Sequence, residues 1–214
     1  MLKQFRPSNE RSMSRRTFLS ASLIGVAAVP ANLLVVQAVH AAERTAAPLS
    51  PQQAFKEIRS DEDAHAAFLV KTLGNAARPK PTFKNLQQQN ADTFIQLSQS
   101  FENLGVGAYL MAVPAISNKN TLASVGSILP VEARHAGYLN ALRGMPLVPD
   151  GAFDKPIPQE QIVKAVMPYI ANLNGGPDPA KPLQNDTDIL NFALLLEYLE
   201  ASFYDINVPK FYGG

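Results

Sequence analysis

Two histidines in the chain each follow a glutamate by three residues, in Glu62-Asp63-Ala64-His65 and Glu132-Ala133-Arg134-His135. On a helix, residues three apart share a face, so each pair can close on one ion. Eight glutamates lie among residues 42–214, so a glutamate falls at that offset from one histidine ~5% of the time by chance, and from both ~0.2%. Both pairs also sit on otherwise apolar stripes, Phe55, Ile58, Glu62, His65, Leu69, Leu73 and Val125, Ile128, Glu132, His135, Leu139, Leu142. An ionised carboxylate facing a core is costly unless it is paired or holds a metal.

Two further stretches carry a single inward glutamate with a tyrosine seven residues, or two turns, later: Glu102 to Tyr109 and Glu197 to Tyr204. Four carboxylates and two neutral imidazoles carry about −4, which two divalent ions would cancel. Oxygen-rich positions with one imidazole per ion suit iron or manganese better than structural zinc. Glu200, one turn beyond Glu197, competes with it as a ligand; the matching tyrosine spacing favours Glu197. Tyr109 and Tyr204 are read as the candidate catalytic side chains, through hydrogen bonds to ligands or a redox role.

These residues must be positioned by helices. Ser50-Pro51-Gln52-Gln53 is a helix start with a capping box and proline at the first position, and the stripe predicts a helix to about Gly74. A second helix is expected from Asp92 to about Val113, and a third from about Asn120 to Arg143 with Pro130 bending it. A short one is expected from Pro158 to Ile170, and a strongly apolar one from Asp186 to about Ile206, followed by a tail. No segment shows sustained strand alternation. Four long helices with apolar stripes imply an all-α four-helix bundle.

Composition narrows the chemistry. The 214 residues contain no cysteine and three histidines, which excludes disulfides, thiolate zinc sites, iron–sulfur clusters and cysteine nucleophiles. The formal charge of +1 offers no positive excess for nucleic acid. That +1 divides into +4 over residues 1–41 and −3 over residues 42–214. The basic segment carries Ser14-Arg15-Arg16-Thr17-Phe18-Leu19, an apolar run and Val39-His40-Ala41. It resembles a cleaved twin-arginine export signal. The expected organisation is a signal over 1–41, a linker over 42–49 and a bundle over 50–214, in a periplasmic or otherwise exported protein whose partners include the twin-arginine export machinery.

Ile189-Leu190-Asn191-Phe192-Ala193-Leu194-Leu195-Leu196-Glu197-Tyr198-Leu199-Glu200-Ala201, Phe101-Glu102-Asn103-Leu104-Gly105-Val106-Gly107-Ala108-Tyr109 and Val131-Glu132-Ala133-Arg134-His135-Ala136 resemble the ferritin-like domain of exported bacterial and desiccation-related plant proteins. The resemblance implies a ferritin-like bundle holding two iron or manganese ions. By it, Glu62 and Glu132 would bridge the ions, His65 and His135 would each complete one, and Glu102 and Glu197 would be terminal ligands. It also implies reaction with oxygen or hydrogen peroxide, as oxidase, peroxidase or catalase; iron or manganese oxidation and storage, or a non-enzymatic stress role, are the alternatives. In that family the helix resembling residues 189–201 comes first, whereas here it is last. The chain therefore reads as a circular permutant, and residues near Ser50 and Asn207 should meet at one end of the bundle unless the last helix completes a neighbouring copy in a homo-oligomer.

Overall fold

The computed structural model describes residues 49–213; the export signal and nearly all of the linker read from the sequence lie outside them. The helices are α1 (Pro51–Leu73), α2 (Ala91–Ala112), α3 (Lys119–Leu142), the short α4 (Gln159–Val166) and α5 (Asp186–Tyr212). Among the described residues, no helix is long and apolar enough to cross a membrane.

Each long helix starts where the sequence supplies an acceptor for its free N–H groups. Ser50 and Gln53 form the reciprocal capping box at α1, and Asn90, Asn118 and Asn185 cap α2, α3 and α5. Pro130 lies inside α3, which continues through it.

The four long helices form the bundle expected of an all-α ferritin-like chain. α1 and α5 run antiparallel: Gln52 Nε2 donates to the Tyr212 carbonyl (2.5 Å) and Arg59 pairs with Asp205 (2.7 Å). α2 and α3 are likewise antiparallel: Arg143 just past the end of α3 lies 3.8 Å from Asp92 at the start of α2, Asn140 and Asn103 bond to one another, and Glu132 further back on α3 lies against Gly105. The start of α1 and the end of α5 therefore share one end of the bundle, and α5 docks within its own chain. Ser117 and Asn118, at the far end, donate their backbone N–H groups to Asp186 (2.9 and 2.8 Å), so the α3–α5 connection traverses the bundle length. It is seated on the second half of α2, where Ile157 N donates to Gly107 O (3.0 Å) and Ile157 occupies the space a side chain at Gly107 would need.

Three features differ from the sequence expectation. The tail beyond Ile206 is helical, and α5 continues through Pro209 to Tyr212. Proline removes one helix hydrogen bond, but packing offsets the loss. Phe211 stacks on Phe94 (5.5 Å) and Tyr212 on Phe55 (4.9 Å). In addition, Thr82–Phe83 (β1) pairs antiparallel with Ile170–Asn172 (β2), clipping the two long connections together. The short α4 correspondingly ends at Val166, earlier than expected.

α5 is buried around most of its circumference because the α1–α2 connection runs back along it. Two buried asparagines hold that connection. Asn191 accepts from Arg78 N (2.6 Å) and donates to Ala76 O (2.9 Å), and Asn207 accepts from Gln88 N (2.8 Å) and donates to Leu86 O (3.0 Å). Asn207→Leu leaves the Gln88 N–H without its acceptor and leaves Leu86 O with the Gln88 amide alone, at ~1–3 kcal/mol for the unpaired donor. The expected outcome is a clear fall in the urea midpoint with metal binding retained once the chain is folded.

Candidate metal centre

Two apolar clusters bracket the middle of the bundle. One is built on Phe55, Phe94, Leu139, Phe203 and Tyr204, and the other on Leu69, Val125, Ile128, Leu190 and Leu194. Between them the helical period places Glu62 and His65 from α1, Glu102 from α2, Glu132 and His135 from α3 and Glu197 from α5. All four carboxylates are fully buried and both histidines are buried. All six residues expected as ligands are thus brought together.

His65 Nδ1 lies 3.3 Å from Glu62 Oε2, 3.0 Å from Glu132 Oε1 and 3.4 Å from Glu197 Oε2. His135 Nδ1 lies 3.0 Å from Glu62 Oε1 and 3.3 Å from Glu102 Oε2. The two oxygens of Glu62 therefore address different histidines. The ligand atoms fall into two overlapping sets, Glu62, His65, Glu132, Glu197 and Glu62, Glu102, Glu132, His135, each within 4.8 Å. Glu62 and Glu132 belong to both. The imidazole centroids are 6.3 Å apart.

Tyr109 and Tyr204 are buried beside the cluster and cross over between helices. The Tyr109 hydroxyl on α2 donates to Glu197 Oε1 on α5, and Tyr204 on α5 donates to Glu102 Oε1 on α2 (2.6 Å). The remaining oxygens, Glu102 Oε2 and Glu197 Oε2, have no hydrogen-bond partner, and neither do Glu62 Oε1, both oxygens of Glu132 and His135 Nδ1. Buried polar atoms are rarely left so. Six unpartnered donor atoms converging from four helices are what a cation would satisfy, so the residues present fit a metal.

The protonation of the cluster follows from burial. Burial, then the charge of Glu102, pushes Glu62 up to about 7. Burial and neighbouring carboxylates raise Glu132 and Glu200 well above the usual range. Burial acts to lower both imidazoles but is outweighed. The close carboxylates of Glu132, Glu197 and Glu62 raise His65 well above its ordinary value, and those of Glu102 and Glu62 push His135 up to about 11. Without ions, protons neutralise the cluster; an ion entering would displace them.

Two residues of the site are not on the stripes. Asp61, next to Glu62, accepts from His135 Nε2 (3.1 Å) across the α1–α3 interface, which leaves Nδ1 free to face the cluster. Carboxylates behind a ligating histidine fix its tautomer and orientation, and their loss typically weakens metal binding ~10–100-fold. Asp61→Ala is expected to weaken one of two binding steps by about that factor in a calorimetric Mn2+ titration. The position corresponding to Asp61 in the other pair is Val131, so the other step is expected to be unchanged.

The second residue is Gly105. It stands three residues after Glu102, as Glu200 stands three after Glu197, and Glu200 is buried but lies outside both ligand-atom sets. A Cβ at position 105 would sit 2.8 Å from Glu132 Oε2 and 3.4 Å from Glu200 Oε1. The missing side chain makes room for both carboxylates. Gly105→Ala adds helix stability of about 1 kcal/mol while displacing the Glu132 carboxylate, so thermal stability without metal is expected to hold or rise as metal affinity falls.

One recess touches the site from outside. About 200 Å³ in volume and mostly apolar, it lies between α1 and α3 and is lined by Ala54, Ile58, Tyr138, Arg134 and His135, among others. Arg134 is exposed and makes no ion pair with the cluster.

A helical bundle with a buried cluster of carboxylates and histidines able to hold metal is the class that the fold and the site define. The family described as Ferritin-like domain matches residues 35–145, and the chain belongs to it. The matched span includes α1, α2 and α3 and ends before α4 and α5. Neither the curated proteins nor the solved structures contain a match.

Proposed function

We propose that the cluster is a dinuclear carboxylate centre for iron or manganese, with Glu62 and Glu132 bridging the ions. His65 and Glu197 complete one position, and His135 and Glu102 the other. The observation that carries this reading is the division of Glu62, one oxygen to each histidine, within a set of buried donors that have no other partner. Oxygen and imidazole donors in this ratio suit iron or manganese, and such ions supply a redox change that protein side chains lack. The chain's own part is to preorganise four carboxylates, orient each imidazole by Nδ1 and exclude bulk water with the two apolar clusters. We assign to this centre reaction with oxygen or hydrogen peroxide, and to residues 1–41 the export of the folded protein by the twin-arginine route.

The circular permutation is part of this proposal. The antiparallel α1–α5 and α2–α3 pairs, the long α3–α5 connection and a family match that stops before α5 all support it. Purified protein loaded with Fe2+ or Mn2+ is expected to consume peroxide or oxidise ferrous iron faster than the same ions free in buffer. Rates equal to the free ions would remove the redox reading, and ferrous oxidation that stops after filling would point to storage. An intact Met1 on exported protein would contradict the signal assignment.

A further inference from the structure

Each tyrosine holds one oxygen of a carboxylate rooted on the opposite helix, and the spacing of seven residues on both α2 and α5 makes the arrangement reciprocal. In both carboxylates it is Oε1 that accepts the phenol and Oε2 that lies beside a histidine nitrogen without a hydrogen bond of its own. We propose that Tyr109 and Tyr204 are denticity clamps: they restrict Glu197 and Glu102 to one donor oxygen each and so keep coordination positions open for a small exogenous ligand. The clamp rests on the two-ion reading above.

A carboxylate free to rotate can chelate a metal ion through both oxygens. With Oε1 occupied by a phenol hydrogen, only Oε2 remains. Each ion would then be offered one oxygen from Glu62, one from Glu132, one imidazole nitrogen and one terminal oxygen. Against the octahedral preference of oxygen-bound manganese, this leaves about two positions free. Apolar clusters on both sides restrict those positions to small molecules or anions. The crossed arrangement also requires α2 and α5 to be docked before either carboxylate is held.

The test uses cobalt, whose visible absorption is stronger at low coordination number than at six, and azide as the small ligand. Wild type, Tyr109→Phe, Tyr204→Phe and the double variant are titrated with Co2+ and then with azide. All four are expected to bind two cobalt ions per chain. Each single variant should absorb less per cobalt and bind azide roughly tenfold more weakly at one ion, equivalent to about 1.4 kcal/mol; the double variant should do so at both. A merely structural tyrosine would change thermal stability but not the spectrum of the bound cobalt. Should the double variant not fold, each single variant carries the same comparison at one ion. Variants that bind two cobalt ions with wild-type spectra and azide affinity would overturn the clamp. A wild-type chain that takes up no cobalt would overturn the two-ion reading beneath it.

Discussion

Glu62→Ala and Glu132→Ala are each expected to empty both ion positions, whereas His65→Ala or His135→Ala should cost one ion. The difference follows from which donors are shared: Glu62 and Glu132 appear in both ligand-atom sets and each histidine in one. Metal content per chain, measured after loading and desalting, should fall from about two toward zero in the first pair and toward one in the second. Stability should move the other way in the metal-free protein. Removing one carboxylate relieves the burial cost and the repulsion by neighbouring carboxylates that raise Glu62 and Glu132. These variants should therefore unfold no earlier than metal-free wild type while losing the rise that metal gives. For wild type, each ion loaded at ~1,000 times its dissociation constant adds about 4 kcal/mol, or roughly 10 °C for a chain of this size.

The second large effect is the sign of the pH dependence. Glu62 moves from 4.5 unfolded to about 7 folded, so the folded protein holds a proton that the unfolded chain releases. Its stabilisation is fully present below 4.5 and is lost as pH rises through 7. His135 moves from 6.5 to about 11, so its contribution is present below 6.5 and is lost as pH rises toward 11. Glu132 and Glu200, also raised, act in the same direction as Glu62. Metal-free protein should thus melt lower at pH 8 than at pH 5. At ~1.4 kcal/mol per pH unit, Glu62 alone accounts for about 3 kcal/mol. With metal the order should reverse, because protons compete with ions for the same atoms. Melting curves at the two pH values, with and without Mn2+, check both signs.

Much of this centre is legible in the residues because helical period is a local signal. The stripes through Glu62–His65 and Glu132–His135 come inward as expected, although Leu73 is only half-buried and Leu142 faces outward. On α2 the core position is taken by Phe94, with Ile95 beside it only half-buried. Spacing also found the two tyrosines, but it could not show that each bonds the carboxylate of the other helix. That depends on α2 and α5 being antiparallel and in register. Asp61 was hidden for a similar reason, since it lies off the stripe and its partner is on α3. Gly105 shows only by comparison with Glu200 at the equivalent position. The helical end of α5 was masked by Pro209, whose local cost is outweighed by aromatic packing that only the tertiary structure supplies.

The most direct measurement of the central claim is anomalous diffraction at the iron or manganese edge from crystals of the loaded protein. Two peaks are expected inside the bundle, each beside one histidine and both in contact with Glu62 and Glu132. A single peak, or none among these six side chains, would contradict it.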